Sequence, residues 1–234
     1  MNWINNIKGR WIFGIYTILW FEIIYILMLF SLFKHGNNDM TAYVVNTFNP
    51  HVIFLFITPL FLFIIISNIL LFQDEMSIVR FKNRTNYWNT HLIIIFSIAF
   101  FFSCTYLIFL LLNGFVYGLN FDVPLIHYLI LFFMLLMGFI AIGLFLLVIK
   151  MIVKRNDISV MFVIAWLMSE LFNYNPLHLF VWRPTVMEEK LIEWFVGSFI
   201  PLVGLCIILY IIGLKINKNI SLINVNIKQE GGER

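Results

Sequence analysis

Six long apolar runs constrain this chain more than any other feature. A helix needs about 20 apolar residues to cross a hydrocarbon core of about 30 Å. The runs are Trp11–Phe33, His51–Phe72, His91–Asn113, Leu125–Val153, Ile158–Tyr174 and Ile192–Ile216. None of them alternates polar and apolar residues as the strands of a membrane barrel do. The pattern predicts an all-α polytopic membrane protein with six transmembrane helices.

The composition excludes the other broad classes of fold. Apolar residues make up 62% of the 234 residues and charged residues 12%. A soluble domain is about half apolar and about a quarter charged, so too little polar surface remains here for a water-soluble globule or a disordered chain. Cys104 and Cys206 lie inside apolar runs and offer neither a disulfide framework nor metal-ligand spacing.

The basic residues predict the orientation of the helices. If the amino terminus is cytoplasmic, only Lys34, Arg183 and Lys190 of the 15 Lys and Arg residues fall in outer loops. An excess of bases on the cytoplasmic side is the rule for membrane proteins. We therefore expect a multi-pass protein of the cell membrane with both termini in the cytoplasm. The chain divides into an interfacial segment (1–10), a transmembrane domain (11–216) and a short, frayed cytoplasmic tail (217–234).

The sequence carries no pattern for catalysis. It contains neither the G-x-x-x-x-G-K-[ST] phosphate-binding loop nor the H-E-x-x-H zinc motif, and its five histidines show no ligand spacing. We expect no enzymatic activity, no metal and no cofactor in this chain. A net charge of +3 in a mostly apolar chain suits membrane lipid rather than nucleic acid as a partner.

The segment between the second and third runs combines acids and bases. It begins with Asp74 and Glu75, and Trp88 at its end returns the chain to the membrane interface. Three bases follow the acids, namely Arg80, Lys82 and Arg84. A short helix on the cytoplasmic surface fits this order. The bases alone would hold the segment on anionic headgroups, but the acids favour a surface that docks a protein.

Glu22 lies at the midpoint of the first apolar run, where an ionised acid is costly. Tyr25 shares its helix face, and Ser67 and Asn68 are candidate partners from the second run. Glu22 is either a neutral residue that fixes helix packing or a contact for a cationic or amide-bearing substrate. Glu170 in the fifth run is either a solvated residue of a cavity or part of a substrate path.

Two further features concern the outer side and the last helix. Phe180, Trp182, Pro184 and Glu188 precede the last run and form either a surface loop with an aromatic anchor or an outer gate. Within the last run, a stripe of small residues predicts close packing against another helix. This stripe consists of Gly197, Pro201 and Gly204.

The chain resembles the permease subunits of ABC-2-type exporters. The resemblance rests on six helices, two cytoplasmic termini and a first cytoplasmic loop that reads Glu75…Arg80…Arg84…Trp88. Trp182-Arg183-Pro184-Thr185-Val186-Met187 also resembles the outer W-x-P-x-x-D motif of small Gram-positive membrane proteins associated with ABC transporters. Met187 takes the place of the aspartate, and Glu188 follows it.

The resemblance implies the transmembrane subunit of an ATP-driven exporter. A coupling helix would dock on separate cytoplasmic ABC ATPase subunits, which bind ATP and Mg, and a second copy or a related permease would complete the complex. Relatives serve bacteriocin and lantibiotic self-protection or export phenol-soluble modulins, so we expect amphipathic peptides or lipid-like substrates.

The resemblance also implies roles for individual residues. The coupling residues would be Asp74, Glu75, Arg80, Lys82 and Arg84. The path would include Glu22, Tyr25, Asn68 and Glu170. The outer gate would include Trp182, Pro184 and Glu188. The alternative is a non-transporting protein that binds a bacteriocin or scaffolds a membrane complex.

The predicted topology can be checked with introduced cysteines. In intact cells, an impermeant thiol reagent should label cysteines placed at Asn37, Asn120 and Thr185. It should not label cysteines at cytoplasmic positions, because the membrane excludes the reagent. The unsubstituted chain, with Cys104 and Cys206 inside apolar runs, reports background labelling. The cytoplasmic positions are Asn83, Asn156 and Asn226. Labelling at Asn83 from outside would overturn this topology.

Overall fold

The computed structural model describes residues 19–27, 29–30, 39–48, 50–71, 84–120, 124–153, 155–171 and 191–230. Within these ranges every regular element is a helix and no strand is formed, which confirms the all-α prediction. The predicted interfacial segment 1–10 lies outside the described residues.

The helices follow the apolar runs of the sequence. We number them α1 to α7, and α3 is a continuous segment with a π-helical centre, Ile53–Ile57. The helices are α1 (19–27 and 29–30), α2 (Met40–Thr47), α3 (Pro50–Val52, Ile53–Ile57 and Thr58–Leu71), α4 (Arg84–Val116), α5 (Leu125–Val153), α6 (Asn156–Leu171) and α7 (Leu191–Glu230). The helix α7 continues well into the tail that the sequence predicts to be frayed.

Among the described residues, three helices are long and apolar enough to cross a membrane, so this is a membrane protein. The three segments are Trp88–Val116, Leu125–Val153 and Phe195–Asn217. They correspond to the third, fourth and sixth predicted runs. The second and fifth runs form the shorter apolar helices Ile53–Ser67 and Asn156–Ser169, and the first run is described only in part.

The helix α5 is the axis of the bundle. In its most apolar stretch 67% of the residues are buried, against 17% in that of α7, which lies at the periphery. The helices α3, α4, α6 and α7 all contact α5. Phe139 of α5 packs on Phe61 of α3 and Phe102 of α4, with ring centroids 4.5 and 5.1 Å apart. Because neighbours surround α5, its sequence is apolar on every face.

Two glycines allow the closest helix approaches. A Cβ atom on Gly143 of α5 would lie 2.6 Å from Cγ2 of Ile95 and 3.2 Å from Cδ1 of Ile65. A Cβ atom on Gly213 of α7 would lie 2.0 Å from Cη2 of Trp88 in α4, which is too close for any real contact. Lipid is as apolar as the helices, so the hydrophobic effect does not hold helices together in a membrane. Small residues instead let the helices approach closely and gain van der Waals contact.

The glycine stripe predicted to pack is open in the described part of the chain. There, no atom lies within 4 Å of a Cβ built on Gly197 or Gly204, and Pro201 is exposed. Trp88, expected where the chain returns to the membrane interface, is 1% exposed and packs on Gly213. The packing face of α7 could not be predicted, because the sequence of a helix does not say which of its faces meets a neighbour.

One end of the bundle is fixed where α4 stops, and we call it the Asn120 end. Gly118 has a positive φ of 66°, a conformation that glycine adopts readily at helix ends. The N–H of Leu119 bonds the carbonyl of Gly114 at 3.0 Å, which closes the helix. Asn120 then bridges to Asp39, whose side chain caps α2 by accepting from the N–H of Thr41 at 2.9 Å.

The π-helical segment of α3 comes directly before Pro59, which has no N–H to donate. Here the N–H of Thr58 bonds the carbonyl of Ile53, one residue further back than in an α-helix. The indole Nε1 of Trp20 donates to the carbonyl of Phe56 at 3.1 Å. This hydrogen bond from an indole side chain to a backbone carbonyl joins α1 to α3 within the distorted segment.

The opposite end of the bundle holds the turn from α5 to α6, and we call it the Lys150 end. Lys150 is 6% exposed, and in the part of the chain described here its Nζ has no hydrogen-bond partner. Beyond it, Nη2 of Arg155 donates to Oδ2 of Asp157 at 2.5 Å. This hydrogen bond lowers the pKa of the Asp157 carboxyl below its usual range. Because both side chains are mostly exposed, the pair adds little stability.

The contact between Gly213 and Trp88 can be tested on the purified protein. Gly213→Ala should lower the Tm, because overpacking of this kind costs about 1–3 kcal/mol. Gly204→Ala is the matched control on the same helix, and it should leave the Tm unchanged or raise it, since alanine favours helices. Trp88→Leu should restore part of the loss in the Gly213→Ala background. Equal Tm values for the two alanine variants would contradict this packing.

Candidate functional site

Near the Asn120 end, α1 packs against α2 and α4 through aromatic rings. The buried face of α1 contains Phe21 and Tyr25, which are both fully buried. Phe21 meets Phe102 of α4 edge to face, with ring centroids 5.0 Å apart. Tyr25 contacts Tyr106 of α4 at 5.5 Å between centroids. These rings hold α1 against the bundle and exclude water from the polar atoms between the helices.

A chain of hydrogen bonds runs through the same contact. The hydroxyl of Tyr25 donates to the carbonyl of Tyr106 at 2.6 Å, and the hydroxyl of Tyr106 donates to the carbonyl of Thr47 at 2.8 Å. The hydroxyl of Thr47 in turn donates to the carbonyl of Tyr43 at 2.7 Å. Three helices are thereby joined by buried polar contacts, which are worth more where water is excluded.

Glu22 lies at the edge of this contact and is only half-buried. The side-chain amide Nδ2 of Asn113 donates to Oε2 of Glu22 at 3.3 Å and to the carbonyl of Phe109 at 3.0 Å. Among the described residues, Oε1 of Glu22 has no hydrogen-bond donor. The carboxylate therefore has one oxygen held by α4 and one that can accept a further hydrogen bond.

Tyr43 of α2 adds a buried hydroxyl to the same place. Within the described ranges this hydroxyl has no hydrogen-bond partner. Burial raises the pKa of Tyr43 well above its usual range, and Tyr106, Glu22 and Tyr117 raise it further. Tyr43 is therefore a neutral hydroxyl within electrostatic range of Glu22 and Tyr117.

We call this group of side chains the Glu22 cluster. It consists of Glu22, Tyr25, Tyr43, Tyr106, Asn113 and Tyr117. In the described part of the chain no three His, Cys, Asp or Glu residues are grouped to hold a metal ion. The cluster contains an acid, an amide and phenols, but no nucleophile beside a base. Its chemistry suits the binding of a polar or charged group.

The structure brings two predicted path residues together and corrects their partners. Glu22 and Tyr25 both belong to the cluster, but Glu22 is bonded to Asn113 and not to Ser67. The hydroxyl of Ser67 donates to the carbonyl of Phe63 in its own helix.

Glu22 lies near the Asn120 end of the described helices, because its partner Asn113 lies in the last turn of α4. The midpoint of an apolar run marks the centre of the bilayer only if the run and the hydrocarbon core begin and end together.

The other predicted site residues cannot be compared in this way. Asn68, Arg84 and Glu170 lie in α3, α4 and α6, with side chains outside the described residues. The remaining coupling and gate residues fall in the ranges 72–83 and 172–190, which are also outside the described residues. These are Asp74, Glu75, Arg80, Lys82, Trp182, Pro184 and Glu188.

Sequence reasoning missed four members of the cluster: Tyr43, Tyr106, Asn113 and Tyr117. A signal for three of them was present, because Tyr106, Asn113 and Tyr117 recur at helical spacing on one face of α4. A phenol or an amide inside an apolar run needs a hydrogen-bond partner. This face of the third run could therefore have been chosen as the partner of Glu22.

A shallow, open cleft between α3 and α6 is less suitable than the Glu22 cluster for binding a polar or charged group. Phe54, Thr58 and Pro59 line one side, and Ile164 and Leu167 line the other. The hydroxyl of Thr58 is the only side-chain polar group among the lining residues. The cleft can take a hydrocarbon group but offers little to orient one.

No protein-family model, no curated protein and no solved structure matches this chain.

Two tyrosines of the cluster should respond differently to loss of the hydroxyl. Tyr25→Phe removes a buried hydrogen bond and should destabilise the protein by about 1 kcal/mol. Tyr43→Phe removes a buried hydroxyl without a described partner, so the Tm should stay constant or rise. Thermal unfolding of the two purified variants beside the parent provides the comparison. A larger loss for Tyr43→Phe than for Tyr25→Phe would contradict this hydrogen-bond arrangement.

Proposed function

We propose that this chain is the transmembrane subunit of an ATP-driven ABC exporter for amphipathic peptides or lipid-like molecules. In this proposal it crosses the cell membrane six times with both termini in the cytoplasm. The observation that carries the proposal is Glu22, a half-buried carboxylate bonded to Asn113 in an otherwise apolar bundle. An ionisable residue inside a membrane protein is by default a candidate for a substrate pathway.

The position of α5 supports a route at the periphery of the chain. Because α5 fills the centre of the bundle, the described helices enclose no channel along their common axis. A substrate would then pass along the outside of the bundle, where a second copy or a related permease could close the path. Glu22 is at such a peripheral place, since its neighbours Ile23 and Ile26 are exposed. In the proposal, Tyr25, Asn68 and Glu170 also belong to the path.

Energy would come from a separate cytoplasmic ATPase that binds ATP and Mg. This chain has no phosphate-binding loop of its own. Asp74 and Glu75, followed by Arg80, Lys82 and Arg84, would form the docking surface for that subunit. Acids beside bases suit a protein surface of matching charge better than a lipid headgroup layer, which attracts only the bases. On the other side of the membrane, Trp182, Pro184 and Glu188 would shape the outer gate.

The docking surface can be tested by reversing one charge. Glu75→Lys should leave membrane insertion intact, because an added base strengthens attachment to anionic lipid. It should also reduce recovery of the ATPase with the tagged chain and abolish substrate-stimulated ATP hydrolysis, because like charges then meet at the interface. Glu233→Lys makes the same charge change in the tail and is the control.

Two results would count against this assignment. If the combination of Glu75→Lys and Arg80→Glu left ATPase recovery and stimulation unchanged, the segment would not be the coupling element. If no ATPase accompanied the parent chain, the non-transporting alternative, which binds a bacteriocin or scaffolds a complex, would replace the exporter.

A further inference from the structure

The surroundings of Glu22 define what kind of group could bind there. Glu22 lies at the border of the buried face of α1, since Phe21 and Tyr25 are buried while Ile23 is 53% exposed. Its carboxylate is therefore reachable from the side of the bundle. The amide of Asn113 fixes Oε2 and leaves Oε1 without a donor in the described part of the chain. A ligand that donates hydrogen bonds would complete this site.

Tyr117 supplies an accessible ring one helical turn beyond Asn113. Its N–H bonds the carbonyl of Asn113 at 3.0 Å, so the helical turn continues and both side chains lie on one face of α4. Asn113 is 5% exposed, whereas Tyr117 is 44% exposed. Phenol rings attract cations through their electron-rich faces, and a neighbouring carboxylate adds to this attraction.

The hydroxyl of Tyr43 is a second and independent indication of a ligand. Tyr43 is fully buried, and in the described ranges its hydroxyl oxygen has no hydrogen-bond partner. A buried hydroxyl without a partner is costly unless a ligand engages it. The ring of Tyr43 packs on Tyr25, three residues along α1 from Glu22, with ring centroids 6.3 Å apart.

The charges near the cluster favour a cation. Glu22 is the acid of the cluster, and Asp39, which caps α2, lies at the same end of the bundle. The described Lys and Arg side chains lie toward the opposite end, namely Lys150, Arg155 and Lys215. A group with several N–H donors and one positive charge matches a carboxylate oxygen, a phenol oxygen and an aromatic face together.

We infer that Glu22, Tyr43, Asn113 and Tyr117 form a site for an ammonium group, such as the amine of a cationic amphipathic peptide. Oε1 of Glu22 accepts a hydrogen bond from the ammonium, the oxygen of Tyr43 accepts another, and the ring of Tyr117 covers the charge. Asn113 positions the carboxylate without contacting the ligand. This inference deepens the proposed function, because it names the group by which the exporter recognises its substrate.

The test uses the full chain alone, purified in the non-ionic detergent dodecyl maltoside. The probe is 4-fluorobenzylamine, which is protonated at neutral pH, and the control probe is the uncharged 4-fluorobenzyl alcohol. Fluorine NMR line broadening reports the binding of each. The parent chain should bind the amine at least about tenfold more tightly, as expected for a hydrogen bond to a charged group.

Variants then assign the preference to the site. Glu22→Gln keeps an acceptor for Asn113 but loses the charge, so the preference for the amine should disappear. Tyr117→Leu alters a side chain that is 44% exposed, so folding should not depend on it. This variant should weaken binding of the amine about two- to fivefold and leave the alcohol unaffected. Asp157→Asn is the matched control at the Lys150 end, and it should behave as the parent.

Equal binding of amine and alcohol by the parent would overturn the inference, and so would a preference that survives in Glu22→Gln. If Glu22→Gln does not fold, Tyr117→Leu decides, and an unchanged preference in that variant overturns the site. The measurement needs neither ATP nor a partner chain. A failed binding test would therefore not decide whether the chain belongs to an exporter. Evidence against the exporter would likewise not change the binding result.

Discussion

The close approach of helices at Gly143 and Gly213 is the contact on which the rest of the structure depends. Within a bilayer the hydrocarbon of lipid is as apolar as the helices, so their association relies on van der Waals contact at short range. Gly143 brings α5 against Ile95 and Ile65, and Gly213 receives the ring of Trp88. These contacts make α5 the axis of the bundle and place α7 beside α4 and α5.

The central position of α5 has a consequence for function. The described helices are filled by α5 along their common axis, so the proposed function places substrate contact at the side of the bundle. The Glu22 cluster lies at such a side, where α1 joins α2 and α4 near the Asn120 end. Its carboxylate is held by one hydrogen bond, while the tyrosine chain behind it is satisfied through backbone carbonyls. The hydrogen-bonded tyrosines thus support the Glu22 carboxylate, which can still accept a hydrogen bond from a ligand.

The sequence predicted an all-helical chain, and its third, fourth and sixth runs form helices long enough to cross a membrane, because apolar length determines where a chain can cross. It also pointed to Glu22 and Tyr25, since polar groups in apolar runs are rare. It could not assign Asn113 to Glu22, because that contact joins residues 91 positions apart and depends on the relative displacement of two helices. For the same reason it placed the close packing of α7 at Gly204, whereas the structure places it at Gly213.

In the proposed function, this membrane bundle works with a separate ATPase to move an amphipathic cationic molecule. The direct test is ATP hydrolysis by the complex purified from its native membrane through a tag on this chain. Vanadate-sensitive hydrolysis should rise when an amphipathic peptide carrying free amines is added, and it should rise less with the acetylated peptide. A preparation that contains only this chain and hydrolyses no ATP would contradict this proposal.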